Sequence, residues 1–179
     1  QWNGTNVTDY APTFAGGALN ARQMFEVRDR LVLFQTYEGG AFFPRRIRIS
    51  GTGVNTDVFD TTATGAGFID IPDNTFFYGA AFNRDDVMFF TEAACWMLKY
   101  TGNDVTPFTL EKIDGSRGSK AAFSVISYLN RTMAASPRGL LISNGYTLER
   151  MDENIPEFSY NTVNNEFFES CFSAFLDEE

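Results

Sequence analysis

Along most of this chain the apolar residues come in short runs closed by Gly, Asn, Asp or charged residues, without helical spacing. Leu31–Phe34, Arg46–Ile49, Phe68–Ile71, Val87–Phe90 and Cys95–Leu98 are all branched or aromatic and bounded by polar or Gly residues, so each predicts a strand. In Cys95–Tyr100 the period is two. Trp96, Leu98 and Tyr100 fall on one face, and Cys95, Met97 and Lys99 on the other. Glu92-Ala93-Ala94 is short enough to join that strand tightly to Val87–Phe90. LLISNGYTLERM, Leu140 to Met151, reads as a hairpin, because Asn-Gly accepts positive φ at both central positions of a type I′ turn. Two stretches carry helical patterning. Ala18–Val27 predicts a turn or two of helix, and Ser119–Leu129 is amphipathic, matching helix and strand equally. The pattern as a whole predicts a mainly β chain of antiparallel, short-stranded sheets.

A weak repeat strengthens that reading. Arg28-Asp29-Arg30-Leu31-Val32-Leu33-Phe34 aligns with Arg84-Asp85-Asp86-Val87-Met88-Phe89-Phe90: an Arg-Asp pair, one polar position, then four apolar ones. A third, degenerate unit runs from Phe123 through the Asn144-Gly145 hairpin. A period of roughly fifty residues suits β-propeller-like blades, each a small sheet that needs a neighbour to cover its faces. The three units expected span approximately 20–65, 66–115 and 120–165 of one β-rich region, 1–179. That is fewer than a closed propeller holds, so the chain is expected to be an incomplete propeller within a larger protein. The absence of an initiator Met and the ending SAFLDEE fit the same expectation. Blades without neighbours leave apolar faces exposed, so poor stability in isolation is expected as well.

Composition narrows the function. The 179 residues are 44% apolar with 19 Phe, enough for a core and unlike a disordered chain. A net charge of −9 argues against a general nucleic-acid binder. Arg45, Arg46 and Arg48 gather in FPRRIRIS, but they alternate with Ile47 and Ile49 and read as solvated positions on a half-buried strand. There is no His, which removes Ser-His-Asp and Cys-His catalysis and the commonest transition-metal ligand. Cys95 and Cys171 lie in apolar runs and form no CxxC motif, so buried thiols are favoured over a disulfide. Three sequons, at Asn3, Asn6 and Asn130, say little without a secretory signal, and no stretch has the length and apolarity of a membrane span.

TGAGFIDIPDN, Thr64 to Asn74, resembles a phosphate loop at first sight. It fails as one. Asp70 stands where a dinucleotide fingerprint needs its third glycine, and the run continues into a strand instead of a helix. Gly51-Thr52-Gly53 fails in the same way. The stretch is expected to turn the backbone before a strand whose Phe68, Ile69 and Ile71 feed the core, with Pro72-Asp73-Asn74 ending it. The carboxylates Asp85-Asp86, Asp152-Glu153, Asp57 with Asp60, and Glu178-Glu179 fall mostly at predicted turns, where Asp bonds its own backbone. The SxDxGxxW box of sialidase propellers and the WD dipeptide are absent, and Asp152-Glu153-Asn154 is too short for an EF-hand loop. Phe42-Phe43, Phe76-Phe77-Tyr78 and Phe167-Phe168 read as core residues, since neighbours on a strand face opposite ways. No catalytic residue, cofactor site or metal ligand is therefore assigned, and the chain is not expected to be an enzyme.

The order of segments carries a resemblance. Arg46-Ile47-Arg48-Ile49-Ser50-Gly51 is followed by GAGFIDIPD, Gly65 to Asp73, then by Val87 to Gly102 and by Pro107-Phe108-Thr109-Leu110-Glu111-Lys112-Ile113. This succession resembles the propeller-like region of tailed-bacteriophage virion proteins of the tail nozzle, or tail tubular protein B, type. Two positions depart from the pattern: Phe59 stands where Trp is expected, and GSRGSK after Ile113 lacks a Cys. The resemblance implies a structural virion protein of the phage tail, assembled as a homo-oligomeric, hexameric ring around a DNA-conducting channel. Its implied partners are other tail and connector proteins, with transient, non-specific passage of phage DNA and no membrane span. The alternative is an extracellular β-propeller that binds or hydrolyses carbohydrate.

Overall fold

The computed structural model describes residues 12–53, 56–61, 63–154 and 165–174. They fall into two compact units, Gln1–Ile71 and Pro72–Glu179. The described residues form twelve strands in three four-stranded antiparallel sheets.

The first unit holds one sheet in the order β1 (Leu19–Val27), β2 (Arg30–Glu38), β3 (Ala41–Ile49), β4 (Gly67–Asp70). Its first two turns are as short as hairpins allow. Val27 pairs with Arg30 across Arg28-Asp29, whose φ values are +52° and +56°. Glu38 pairs with Ala41 across Gly39-Gly40, at +56° and +88°. Positive φ at both central positions matches the twist of the strands on either side. Between Phe34 and Thr36 the β2–β3 register shifts, and Gln35 there has φ +55°. Such an irregularity re-aims the side chains that follow it. Leu19, Leu33 and Phe59 form a buried cluster, with Phe14 and Leu31 packed against it.

The helix expected over Ala18–Val27 is instead β1. Gln23, Phe25 and Val27 turn inward while Arg22, Met24 and Glu26 are exposed, a period of two. Eight residue pairs tie the strand to β2, and that pairing overrides the weak local preference of Ala, Arg and Gln for helix. Strand β4 completes this first sheet. Arg46 to Ile49 pair with Asp70 to Gly67, so the segment from residue 66 onward is the fourth strand here and does not open the next sheet.

The second unit holds two sheets. One runs β5 (Phe77–Asn83), β6 (Asp86–Thr91), β7 (Cys95–Tyr100), β8 (Phe108–Asp114). The other has the order β12 (Leu148–Arg150), β11 (Gly139–Ser143), β10 (Arg131–Ser136), β9 (Ile126–Tyr128). Glu92-Ala93-Ala94 does make the tight β6–β7 connection, closed by the Thr91 N–H donating to the Ala94 carbonyl at 2.9 Å. Ser119–Leu129 is not helical: a loop through Val125 leads into β9. Ser124 directs its hydroxyl to the Ala121 carbonyl, the local competition that makes Ser a poor helix interior, and Ser119 donates to the Ala135 carbonyl of β10.

Both sheets bury one common cluster. Ala81, Met88, Phe90, Cys95 and Met97 come from the first of them, and Ala134, Leu141 and Leu148 from the second, with Val125 between. Close backbone approach makes this packing tight. A Cβ on Gly79 of β5 would lie 2.3 Å from the Ala122 carbonyl oxygen, so only glycine fits there. Asn83 ties the sheets together with polar bonds: its Nδ2 donates to Thr132 Oγ1 and to the Ser143 carbonyl, both at 3.1 Å.

The Asn144-Gly145 hairpin exists, joining β11 to β12, but its turn is not type I′. Ser143 pairs with Leu148 across four residues, and of Asn144 and Gly145 only the glycine has positive φ, +94°. Asn144 acts through its side chain: Oδ1 accepts from the Tyr146 N–H at 2.9 Å, the Thr147 N–H at 3.0 Å and the Thr147 hydroxyl at 3.3 Å. That is an Asx-type cap. The third sheet has its two-residue turns elsewhere, at Pro137-Arg138 and at Leu129-Asn130, and the latter has φ values of +45° and +61°.

Candidate functional site

Two constellations stand out, one in each unit. In the first unit, Arg46 and Arg48 are not the solvated positions their alternation predicts. Arg48 is buried, its Nε donating to Glu38 Oε1 at 3.2 Å and its Nη2 to Oε2 at 2.7 Å. Its Nη1 reaches the Phe59 carbonyl at 3.4 Å. Arg46 bonds Glu38 Oε2 at 3.2 Å and holds Asp70 with two bonds, at 2.9 and 3.1 Å. Thr36 donates to Glu38 at 2.7 Å. Both guanidinium groups lie over rings: Arg46 between Phe43 and Phe68, Arg48 beside Phe14 and Phe68. Phe68 is therefore 52% exposed and covers cations instead of feeding the core, while Ile71 is buried as expected.

Burial alone would raise the Glu38 pKa. Hydrogen bonds from Arg48 and Thr36, with the charges of Arg48 and Arg46, outweigh it and hold the carboxyl below its ordinary value. Every charged group in this cluster answers another, so the cluster organises the sheet and leaves no cationic patch for phosphate. Arg30, also buried, donates to the carbonyls of Ser50 and Thr64, both at 2.9 Å. The Thr64 end of TGAGFIDIPDN thus serves as an acceptor for a buried arginine.

The second constellation is a cleft of about 150 Å³ in the second unit. The Arg84-Asp85 turn between β5 and β6 lines it on one side and Asn144, Gly145 and Tyr146 of the β11–β12 loop on another, with Met97 and Lys99 of β7 also in the lining. Two features singled out in the sequence, the Arg-Asp repeat and the Asn-Gly hairpin, thereby meet. Asn83, 3% exposed, lines the cleft with its Oδ1 facing Gly145; a Cβ on that glycine would sit 2.9 Å away. Asp86 Oδ1 accepts from the Tyr100 N–H at 3.1 Å. Lys99 pairs with Glu111, which raises its pKa, and its Nζ lies 5.6 Å from the centre of the Tyr146 ring. Tyr146 itself is 68% exposed. No pattern in the chain announces this cleft, because its walls come from strands far apart in sequence.

The remaining sequence candidates are scattered. Asp60 accepts from the Ala15 N–H through both oxygens, and Asp152 is buried against Arg150 at 2.9 and 3.1 Å. Glu178-Glu179, Asn3 and Asn6 lie outside the described residues. Of the aromatics expected in the core, Phe77 and Phe168 are buried, but Phe76 and Phe167 are exposed, and exposed Phe42 stacks on Tyr37 at 5.0 Å beside half-buried Phe43. Cys95 and Cys171 are both free thiols, and burial pushes the Cys95 thiol far up, so it stays protonated and inert. Among the described residues no group of three or more His, Cys, Asp or Glu could hold a metal ion, and no helix is long and apolar enough to cross a membrane. No protein-family model matches the chain, and no curated protein matches it either.

Proposed function

We propose that this chain is a non-enzymatic structural part of a phage tail, a nozzle or tubular ring protein that works through assembly contacts around a DNA-conducting channel. The observation that carries the reading is the pair of four-stranded antiparallel sheets in the second unit, which bury one shared cluster. Each follows its chain order strand by strand, as propeller blades do, and each covers a face the other could not bury alone. The first unit adds a third sheet of the same plan. Blades of this kind are assembly modules, and the segment order from Arg46 to Ile113 resembles that of tail nozzle proteins.

Two further observations agree. The carboxylates Asp60, Asp86 and Asp152 are engaged by backbone N–H groups or a guanidinium, which favours a building role over general acid–base work. The net charge of −9 would let DNA slide past a ring lumen instead of adhering to it. Homo-oligomerisation and contacts with other tail and connector proteins belong to the same proposal, as does location in the virion.

Immunogold labelling of intact particles from the source, with antibody raised against this chain, tests it. Gold confined to the tail tip or tube is expected. Label on the capsid, or a chain missing from purified particles, would sink the reading.

A further inference from the structure

We propose that the cleft between the Arg84-Asp85 turn and the Asn144-to-Thr147 loop is a binding site for one neutral sugar ring of a glycan. The inference is independent of the virion reading.

The lining is chemically mixed in a way that selects among ligand classes. The lining sets Arg84 and Lys99 against Asp85 and Asp86, and Glu111 already answers Lys99, so no uncompensated positive charge is left for an anion. The acidic chain as a whole disfavours a polyanion further. A sugar hydroxyl both donates and accepts, and the cleft offers both functions. Donors are the Arg84 guanidinium and the Asn144 amide, whose Oδ1 is already occupied by the loop backbone. Acceptors are Asn83 Oδ1 and the capacity left on Asp86 beyond the Tyr100 N–H. Tyr146, largely exposed at the rim, supplies an apolar ring face for sugar C–H groups and a hydroxyl at its edge.

The site is also built and not merely concave. Asn83 is nearly fully buried and fixed by bonds to Thr132 and Ser143 in the facing sheet. The Asn144 cap sets the loop that presents Tyr146, and glycine at 145 leaves space before Asn83 Oδ1 that a Cβ would fill. Groups held in place before binding lose little freedom on binding.

The test is saturation-transfer NMR and calorimetric titration of the full chain with glucose, galactose, N-acetylglucosamine and their short oligomers. Saturable binding of at least one of these is expected, weakened tenfold or more by Tyr146→Ala and by Arg84→Ala. Both residues are exposed, and the far-UV spectra and melting profiles of the variants are expected to match the parent. Absence of saturable binding across the panel would overturn the proposal. So would affinity unchanged in both variants, or binding confined to glucuronic acid or to free amino acids in a parallel titration.

Discussion

At the scale of single residues, the buried Glu38–Arg48 pair has the largest consequences. Its side chains are 6% and 8% exposed, so loss of the carboxylate leaves a buried guanidinium without its bidentate partner. Glu38→Gln is expected to destabilise the first unit by about 3 kcal/mol at neutral pH, read by urea denaturation. Because Glu38 titrates lower folded than unfolded, its contribution is complete above the ordinary value of 4.5 and is lost as pH falls through the folded value. The parent should therefore lose stability steeply on acidification, with a shallower slope in Glu38→Gln. In the second unit, Gly79→Ala forces a methyl against the Ala122 carbonyl and should cost about 1–3 kcal/mol in the same measurement. The roles of these residues were not legible in sequence. FPRRIRIS shows alternation, but alternation alone assigns Arg46 and Arg48 to a face without saying what covers it. Here the irregularity at Gln35, a folded Glu38 and three rings supply the cover.

At the scale of elements, turn chemistry separates what a dipeptide permits from what its surroundings use. Asn-Gly permits a type I′ turn, yet the four-residue loop uses Asn144 as an acceptor for three donors. Asn144→Ala should then cost about 1 kcal/mol while Asn144→Asp, which keeps the oxygen, stays within a few tenths, by thermal denaturation. Two positive φ values occur instead at Arg28-Asp29, Gly39-Gly40 and Leu129-Asn130, and of these Arg28-Asp29 and Leu129-Asn130 hold them without glycine. Replacing Arg28-Asp29 by Asn-Gly should stabilise by about 0.5–1 kcal/mol, since those residues adopt the left-handed region at less cost. The Arg-Asp repeat was visible in the chain and marks the first hairpin turn of two sheets; its third counterpart, Leu129-Asn130, shares the turn but not the residues. Ala18–Val27 matches helix locally because half of it is Ala, Arg, Gln and Glu, and only the facing β2 turns its period of two into burial.

At the scale of the whole molecule, the described surface carries Phe123, Phe167, Phe172, Leu129, Leu140 and Tyr146 exposed, alongside strand edges with no partner strand in their sheets. Such a surface favours association. The isolated chain is expected to self-associate in sedimentation velocity and to melt over a broad range in calorimetry; one monomeric species with a single sharp transition would contradict this. Apolar runs, their bounding polar residues and the Arg-Asp repeat were enough to determine by themselves that this is a mainly β chain of short antiparallel strands. Those are local properties, set by which side chains a strand can alternate and where the backbone can turn. Tertiary structure alone decided that Ala18–Val27 is a strand, that Arg46 and Arg48 are neutralised in place, and that the Asn144 loop and the Arg84 turn form one cleft. Each of these depends on residues distant in sequence being brought within contact, and the energies that choose among them arise only there.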